Sequence, residues 1–130
     1  MVDITPAVDE QRQLIQSYGD GGFRIAGVEH TGSVLVQPEQ TEAWPIDEPA
    51  SITLESLAPL TNLAGLRSIG GSVLLLGTGS DLVSVAPNLR PELRSMGIGL
   101  EVMGTGAACR TFNVLLAEDR TVMAALIAVP

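Results

Sequence analysis

The chain has 130 residues, of which 45% are apolar, and its 15 acidic and seven basic residues give a formal charge of −8. Length and apolar content predict one soluble globular domain, and the negative charge disfavours nucleic acid and anionic lipid surfaces as partners. All seven basic residues are arginines and the chain has one histidine and one cysteine, which excludes lysine Schiff-base chemistry, a Walker A motif, an intrachain disulfide and a zinc-like ligand cluster.

The first ten residues are polar and contain a proline. They predict a loose tail over residues 1–10, followed by a single domain over residues 11–130. Acidic residues stand where a secretory signal would be basic, and the apolar C-terminal stretch, residues 121–130, is about half as long as a membrane-spanning helix. With a lone cysteine, these features predict a cytoplasmic protein with no transmembrane segment.

The first half of the domain has the pattern of antiparallel β structure. QLIQSYG (13–19), the turn signal DGG (20–22) and FRIAGVEH (23–30) predict a hairpin, and TGSVLVQPEQ (31–40) extends it into a meander. The connection at residues 41–60 is interrupted by prolines.

In that connection, Thr53 or Ser51 is a candidate cap for a short helix from Leu54 to Leu60. Trp44 is expected to close one end of the core.

The second half alternates strands and helices. The predicted elements are a strand SVLLLG (72–77), a short helix NLRPELRSMG (88–97) ended by its glycine, a strand GLEVMG (99–104), an apolar helix over 106–117 and a last strand TVMAALIAV (121–129). Two Gly-Thr-Gly tripeptides begin at Gly77 and Gly104. Their separation is close to the roughly 30 residues that a βαβ unit occupies. Each is therefore expected to end a strand, and the two loops are expected to lie side by side at one edge of the sheet.

That edge is the candidate site, because ligands of open α/β sheets bind outside the carboxyl ends of the strands. Neither loop completes the G-x-G-x-x-G dinucleotide fingerprint, since Leu82 and Cys109 stand at the sixth positions. Glycines in tight turns are the favoured interpretation and a phosphate cradle is the alternative, so no cofactor and no metal are expected. The candidate pocket residues are Gly77, Thr78, Gly79, Thr105, Cys109, Arg110 and Asn113.

Cys109 has two interpretations. If Thr105 caps the helix, the thiol lies in the first turn, where the helix dipole and Arg110 would favour a thiolate. His30 is the one histidine available as a base and lies on a distant β segment, so a structural thiol is favoured.

The helix has an apolar stripe at i, i+4, i+7 and i+8, formed by Ala108, Phe112, Leu115 and Leu116, with Cys109 and Asn113 at its margin. A buried Glu101 on the preceding strand would need a partner, and an ion pair with Arg110 is expected. Anion binding by Arg110 is the alternative. The acidic pairs at 9–10, 47–48 and 118–119 are interpreted as solvated charge.

Three stretches carry a resemblance: LLLGTG, GIGLEVMGTGAACRTFNVLLAEDRTVMAALI and GGFRIAGVEHTGSVLV. Together they resemble the small domain family that includes a mitochondrial assembly factor of respiratory complex I and bacterial and archaeal members of unassigned function. The resemblance runs from about Gly21 to Val129, and ACRTFNVL is its most specific part. It implies a three-layer α/β fold with a mixed central sheet, an N-terminal antiparallel hairpin or meander and two to three helices, without established catalysis or cofactor.

Two classes of function follow. The favoured one, which the resemblance implies, is a non-enzymatic interaction module whose protein partners are respiratory complex subunits or assembly factors. The alternative is a small-molecule or anion-binding protein, or a thiol enzyme, that uses the strand-end edge at Gly77–Gly79 and Thr105–Arg110. An exposed apolar patch would favour the first, and a closed polar cleft the second.

Overall fold

Turn-forming residues in the first half produce a small antiparallel sheet with the strand order β1-β2-β3-β4. The computed structural model describes residues 2–4, 12–67 and 71–130. The strands are β1 Val2–Asp3, β2 Ile15–Gly19, β3 Gly22–Ile25 and β4 Val28–Thr31. Asp20 and Gly21 both have positive φ, 53° and 78°, as a two-residue hairpin turn requires. The predicted hairpin is therefore confirmed.

The run 23–30, predicted as one strand, is divided in two. Ala26 and Gly27 have φ of 48° and 80° and form a second tight turn between Ile25 and Val28. Within the predicted tail 1–10, Val2 and Asp3 pair with β2, and residues 1 and 5–10 lie outside the described residues.

The second sheet has five strands in the order β6-β5-β9-β7-β8. They are β5 Val34–Val36, β6 Thr41–Ala43, β7 Ser72–Gly77, β8 Ile98–Met103 and β9 Val122–Leu126. β7 is parallel to both β8 and β9, whereas β5 is antiparallel to β6 and β9. The sheet is thus mixed, and β5 leaves the predicted meander to pair with the C-terminal strand.

Three helices cover this sheet: α1 Ala58–Arg67, α2 Leu89–Arg94 and α3 Thr105–Ala117. The helix predicted from Leu54 begins instead as a 3-10 turn, and α-helical structure starts only at Ala58. Thr53 does act as a cap, since its hydroxyl accepts from the Ser56 backbone N–H at 3.1 Å while the Ser56 hydroxyl accepts from the Thr53 N–H. Gly97, with φ of 80°, ends the α2 segment as expected.

The core lies on both faces of the five-stranded sheet, which explains the continuous apolar run of β7. On one face, Leu74 and Leu76 pack with α1, α2 and Trp44, whose indole N–H donates to the Ser56 carbonyl at 2.9 Å. On the other face, Leu75 packs with α3 and the small sheet. The fold is therefore a three-layer α/β domain with a mixed central sheet.

Candidate functional site

The two Gly-Thr-Gly loops lie side by side and are hydrogen-bonded to each other. The Thr78 N–H donates to the Met103 carbonyl at 2.9 Å, and the Thr105 N–H donates to the Gly79 carbonyl at 2.8 Å. Because β7 and β8 are adjacent parallel strands, their carboxyl ends meet at this edge. The predicted adjacency of the loops is confirmed.

The two threonine hydroxyls are used to join these loops to their neighbours. The buried Thr105 hydroxyl accepts from the Gly79 N–H at 2.9 Å and donates to the Ile127 carbonyl at 2.7 Å. The Thr78 hydroxyl donates to the Asp81 carbonyl at 2.6 Å and accepts from the Val83 N–H at 3.1 Å. Both hydroxyls stabilise the loops, which leaves neither free to attack a substrate.

The expectation that Thr105 caps α3 is wrong. Gly104 is the N-cap residue, and Thr105 is already the first helical residue. Close packing of the two loops requires a glycine at position 77. A Cβ on Gly77 would lie 2.9 Å from the Thr105 hydroxyl and 3.0 Å from the Thr105 Cα.

Cys109 is buried in the core between α3 and the sheet, with 0% exposure. It lies beyond the first turn of α3, so the first-turn position is also wrong. Burial raises the pKa of its thiol to about 12, and the opposing charge of Arg110 does not compensate for this desolvation. The thiol is therefore protonated near neutral pH, as the structural interpretation requires.

The expected ion pair between Glu101 and Arg110 is absent from the described part of the chain, and both residues are exposed. Glu101 lies on edge strand β8, whereas α3 packs mainly over β7 and β9 and leaves that face of β8 open. The Arg110 guanidinium instead donates to the Tyr18 hydroxyl at 3.3 Å. Neither residue is a buried charge.

Asn113 holds β2 against α3. Its side-chain carbonyl accepts from the Ile15 N–H at 2.9 Å, and its amide donates to the Ile15 carbonyl at 2.8 Å. Asn113 is buried together with Cys109, while Leu115 is only half-buried, so the predicted stripe is rotated on the helix. Asn113 is a structural residue and does not line the strand-end edge.

An open cleft of about 500 Å³ does lie at this edge. Of the seven predicted pocket residues, Gly79 and Arg110 line this cleft, and the other five are not part of its lining. The sequence analysis did not identify Tyr18 and Asp81, which also line the cleft. Asp81 and Arg110 are the charged residues of the described lining. Because their charges are opposite, the cleft does not offer the concentrated positive charge that an anion site needs.

A second and larger concavity, about 600 Å³, was not predicted. It lies between residues 82–87, α2 and β8, and is named here the α2 groove. Leu82 is 69% exposed and Val83 is 41% exposed at its rim. The signal in the sequence was SDLVSVAPN, an apolar run with proline and no helical period, which lies outside the regular secondary structure.

Residues 15–127 match a protein family described as a protein of unknown function (DUF498/DUF598). The chain belongs to this family. It is 38% identical to an uncharacterised protein of Rhodobacter capsulatus over 118 residues, which cover 89% of this chain and 85% of that protein. A solved structure described as an outer membrane protein from Bartonella henselae has a TM-score of 0.82 and 40% identity, and the match covers 93% of this chain and 98% of that one.

The chain is also 35% identical to NADH dehydrogenase (ubiquinone) 1 alpha subcomplex assembly factor 3 of Xenopus tropicalis. This alignment covers 88% of the chain but 60% of the assembly factor, so the chain spans about three fifths of that relative. The predicted resemblance to the complex I assembly factor family is confirmed. Within the described ranges, none of the helices is both long and apolar enough to cross a membrane.

Proposed function

We propose that this protein is a non-enzymatic interaction module that aids assembly of a membrane-associated respiratory complex of the complex I type. The observation that carries the proposal is the α2 groove, whose rim exposes Leu82 and Val83 to solvent. Apolar side chains grouped in a surface concavity are typical of protein interaction sites. The similarity to complex I assembly factors supports respiratory subunits or other assembly factors as the partners.

The chemistry of the strand-end cleft supports a role without catalysis. The Cys109 thiol is buried and protonated, and the hydroxyls of Thr78 and Thr105 are engaged in hydrogen bonds. A nucleophile needs both access to substrate and a base within reach. Tyr18 and Ser80 place hydroxyls in the described lining of the cleft, but that lining contains neither a histidine nor a lysine to activate them as a base.

The alternative function, small-molecule or anion binding at this cleft, has less support. The cleft is open rather than enclosed, and the acidic Asp81 lines it together with the basic Arg110. A site for a small ligand usually buries most of the ligand surface. We propose a cytoplasmic location, because the lone Cys109 is a free thiol of the kind found in reducing compartments.

Quantitative affinity purification from the source organism tests the proposal. The baits are the wild-type protein, the groove variant Val83→Asp and the matched control Val114→Asp, which alters an exposed valine on α3. We expect wild type and Val114→Asp to recover respiratory subunits or assembly factors, and Val83→Asp to lose them. Wild-type bait that recovers none of these proteins would contradict the assembly role.

A further inference from the structure

We propose that the α2 groove binds an extended segment of a partner protein that carries apolar side chains and at least one carboxylate. This inference rests on the proposed interaction function and specifies the chemistry of the partner. Three features of the groove support it: its apolar rim and floor, its charge and its position beside an edge strand.

Apolar side chains form the rim and the floor of the groove. Leu82 and Val83 stand at the rim, while the half-buried Val85 and Val102 pack against the core beneath it. Leu100, from β8, is buried at the base. A partner segment would cover apolar surface that is now in water, which stabilises a complex by about 25 cal/mol for each Å² buried.

The charge of the groove is opposite to that of the whole molecule. Arg90 and Arg94 are the charged residues among those described in its lining, in a chain whose net charge is −8. The nearby acidic residues are not part of the groove lining. Asp81 lines the strand-end cleft, Glu92 accepts from Asn88, and Glu101 alternates to the opposite face of β8 from Leu100. A partner with a carboxylate is therefore complementary to the groove and is repelled by the remaining surface.

The third feature favours a polypeptide. β8 pairs with β7 on one side and stands at the edge of the sheet. The Met103 carbonyl accepts from Thr78 on the β7 side, so the alternate residues Leu100 and Val102 direct their backbone groups outward. The Arg90 guanidinium donates to the Leu100 carbonyl, which confirms that this carbonyl is directed away from β7.

Outward backbone groups are matched by the main chain of an extended peptide, as in strand addition. A fatty acid also has an apolar chain and a carboxylate, but it offers no main-chain hydrogen bonds. The groove is also partly open to solvent, whereas sites for small ligands usually enclose most of the ligand surface. These differences favour a peptide segment as the occupant.

Selection from a library of short random peptides displayed on phage tests the inference. Wild-type protein is the target, and binders are counter-selected on Val83→Asp. Enriched peptides are synthesised with a fluorescent label, and their affinities are measured by anisotropy for wild type, Arg94→Gln, Val83→Asp and the control Val114→Asp. Thermal unfolding of each variant establishes that it is folded.

We expect the enriched peptides to combine apolar residues with aspartate or glutamate. Arg94→Gln should weaken binding about tenfold, and amide replacement of the peptide carboxylate should weaken it by a similar factor, without further loss when both changes are combined. Val114→Asp should bind like wild type. A peptide methylated at alternate backbone nitrogens should lose binding, since strand pairing needs those N–H groups.

Three results would overturn the inference: no enriched peptides, enriched peptides without acidic residues, or affinities that Arg94→Gln leaves unchanged. Displacement of the peptides by sodium dodecanoate at equal concentration would identify a lipid site instead. These outcomes are separable from failure of the proposed function. Groove-dependent acidic peptides together with no respiratory proteins in the affinity purification would leave the groove chemistry standing and remove the assembly role.

Discussion

Replacing Asn113 by alanine should destabilise the domain more than its small change in volume suggests. The amide of Asn113 satisfies both backbone groups of Ile15, at 2.9 Å and 2.8 Å, in a buried position between α3 and β2. β2 has a register irregularity between Ile15 and Ser17, where strand pairing with β3 is interrupted. The Asn113 side chain thus supplies a hydrogen-bond partner to both backbone groups of a residue next to this irregularity.

The size of the effect follows from the two groups left behind. Each buried backbone group without a partner costs about 1–3 kcal/mol, so losing both partners in Asn113→Ala should lower the free energy of unfolding by about 2–6 kcal/mol. With a slope of about 1–3 kcal/mol per molar for urea, the unfolding midpoint should fall by at least about 0.7 M. Such a loss is a large part of the about 5–15 kcal/mol that stabilises a typical domain.

Equilibrium urea unfolding followed by circular dichroism measures this effect. The control is Val114→Ala on the next residue, which is 56% exposed and should change stability by no more than about 0.5 kcal/mol. An Asn113→Ala protein that unfolds within that margin of wild type would refute the bridging role of the amide.

The variant Asn113→Asp tests in which direction the stability of the domain changes with pH. A buried carboxyl has a raised pKa in the folded state, and only its protonated form can both donate to and accept from Ile15. A folded-state pKa above the unfolded value gives stability at low pH that is lost as pH rises through the folded pKa. This variant should therefore be less stable relative to wild type at about pH 8 than at about pH 5.5.

Three further changes separate the structural interpretations. The Cys109 thiol should resist Ellman's reagent in the native protein at neutral pH; because folding raises its pKa from 9.0 to about 12, stability should fall as pH rises above 9. By about pH 10 that loss is on the order of 1 kcal/mol, and it should be absent in Cys109→Ala, which urea titrations at about pH 8 and about pH 10 will show. Gly77→Ala should lower the melting temperature through a loss of about 1–3 kcal/mol from crowding against the Thr105 backbone. Gly99→Ala should not, because a Cβ there would make only an ordinary contact, 3.8 Å from the Ser72 carbonyl. Arg110→Ala should change the unfolding free energy by less than about 0.5 kcal/mol, because the exposed guanidinium has Tyr18 rather than a buried carboxylate as its partner; a loss of several kcal/mol in urea unfolding would contradict this.

Much of the fold was predictable from local patterns. The Asp-Gly turn signal located the first hairpin, and the apolar run of residues 72–77 indicated a strand covered on both faces. The Ala26–Gly27 turn was missed because alanine rarely adopts positive φ. The pairing of β5 with β9 was missed as well, since no local pattern specifies which distant strand completes a sheet.

The candidate site was predicted less completely. Glycine positions and strand ends placed the Gly-Thr-Gly loops together, but side-chain directions decided which residues line the cleft. A one-residue error in the start of α3 moved Cys109 from a reactive first turn to a buried second one. The Glu101–Arg110 expectation failed because sequence does not show that β8 is an edge strand.

The α2 groove was not found from the sequence because its lining is non-periodic. Residues 82–87 have neither a helical nor a strand pattern, so their apolar side chains could not be assigned to a face. Their exposure depends on the position of α2 relative to β8, which only the folded chain specifies.

The central claim is that the α2 groove is the surface that binds partner proteins during assembly of the respiratory complex. Its most direct test is the NADH:quinone oxidoreductase activity of membranes from a deletion strain of the source organism, complemented with wild type, Val83→Asp or the matched Val114→Asp. We expect deletion to lower the activity, wild type and Val114→Asp to restore it, and Val83→Asp to fail at equal protein abundance. Unchanged activity in the deletion strain, or full restoration by Val83→Asp, would contradict the account.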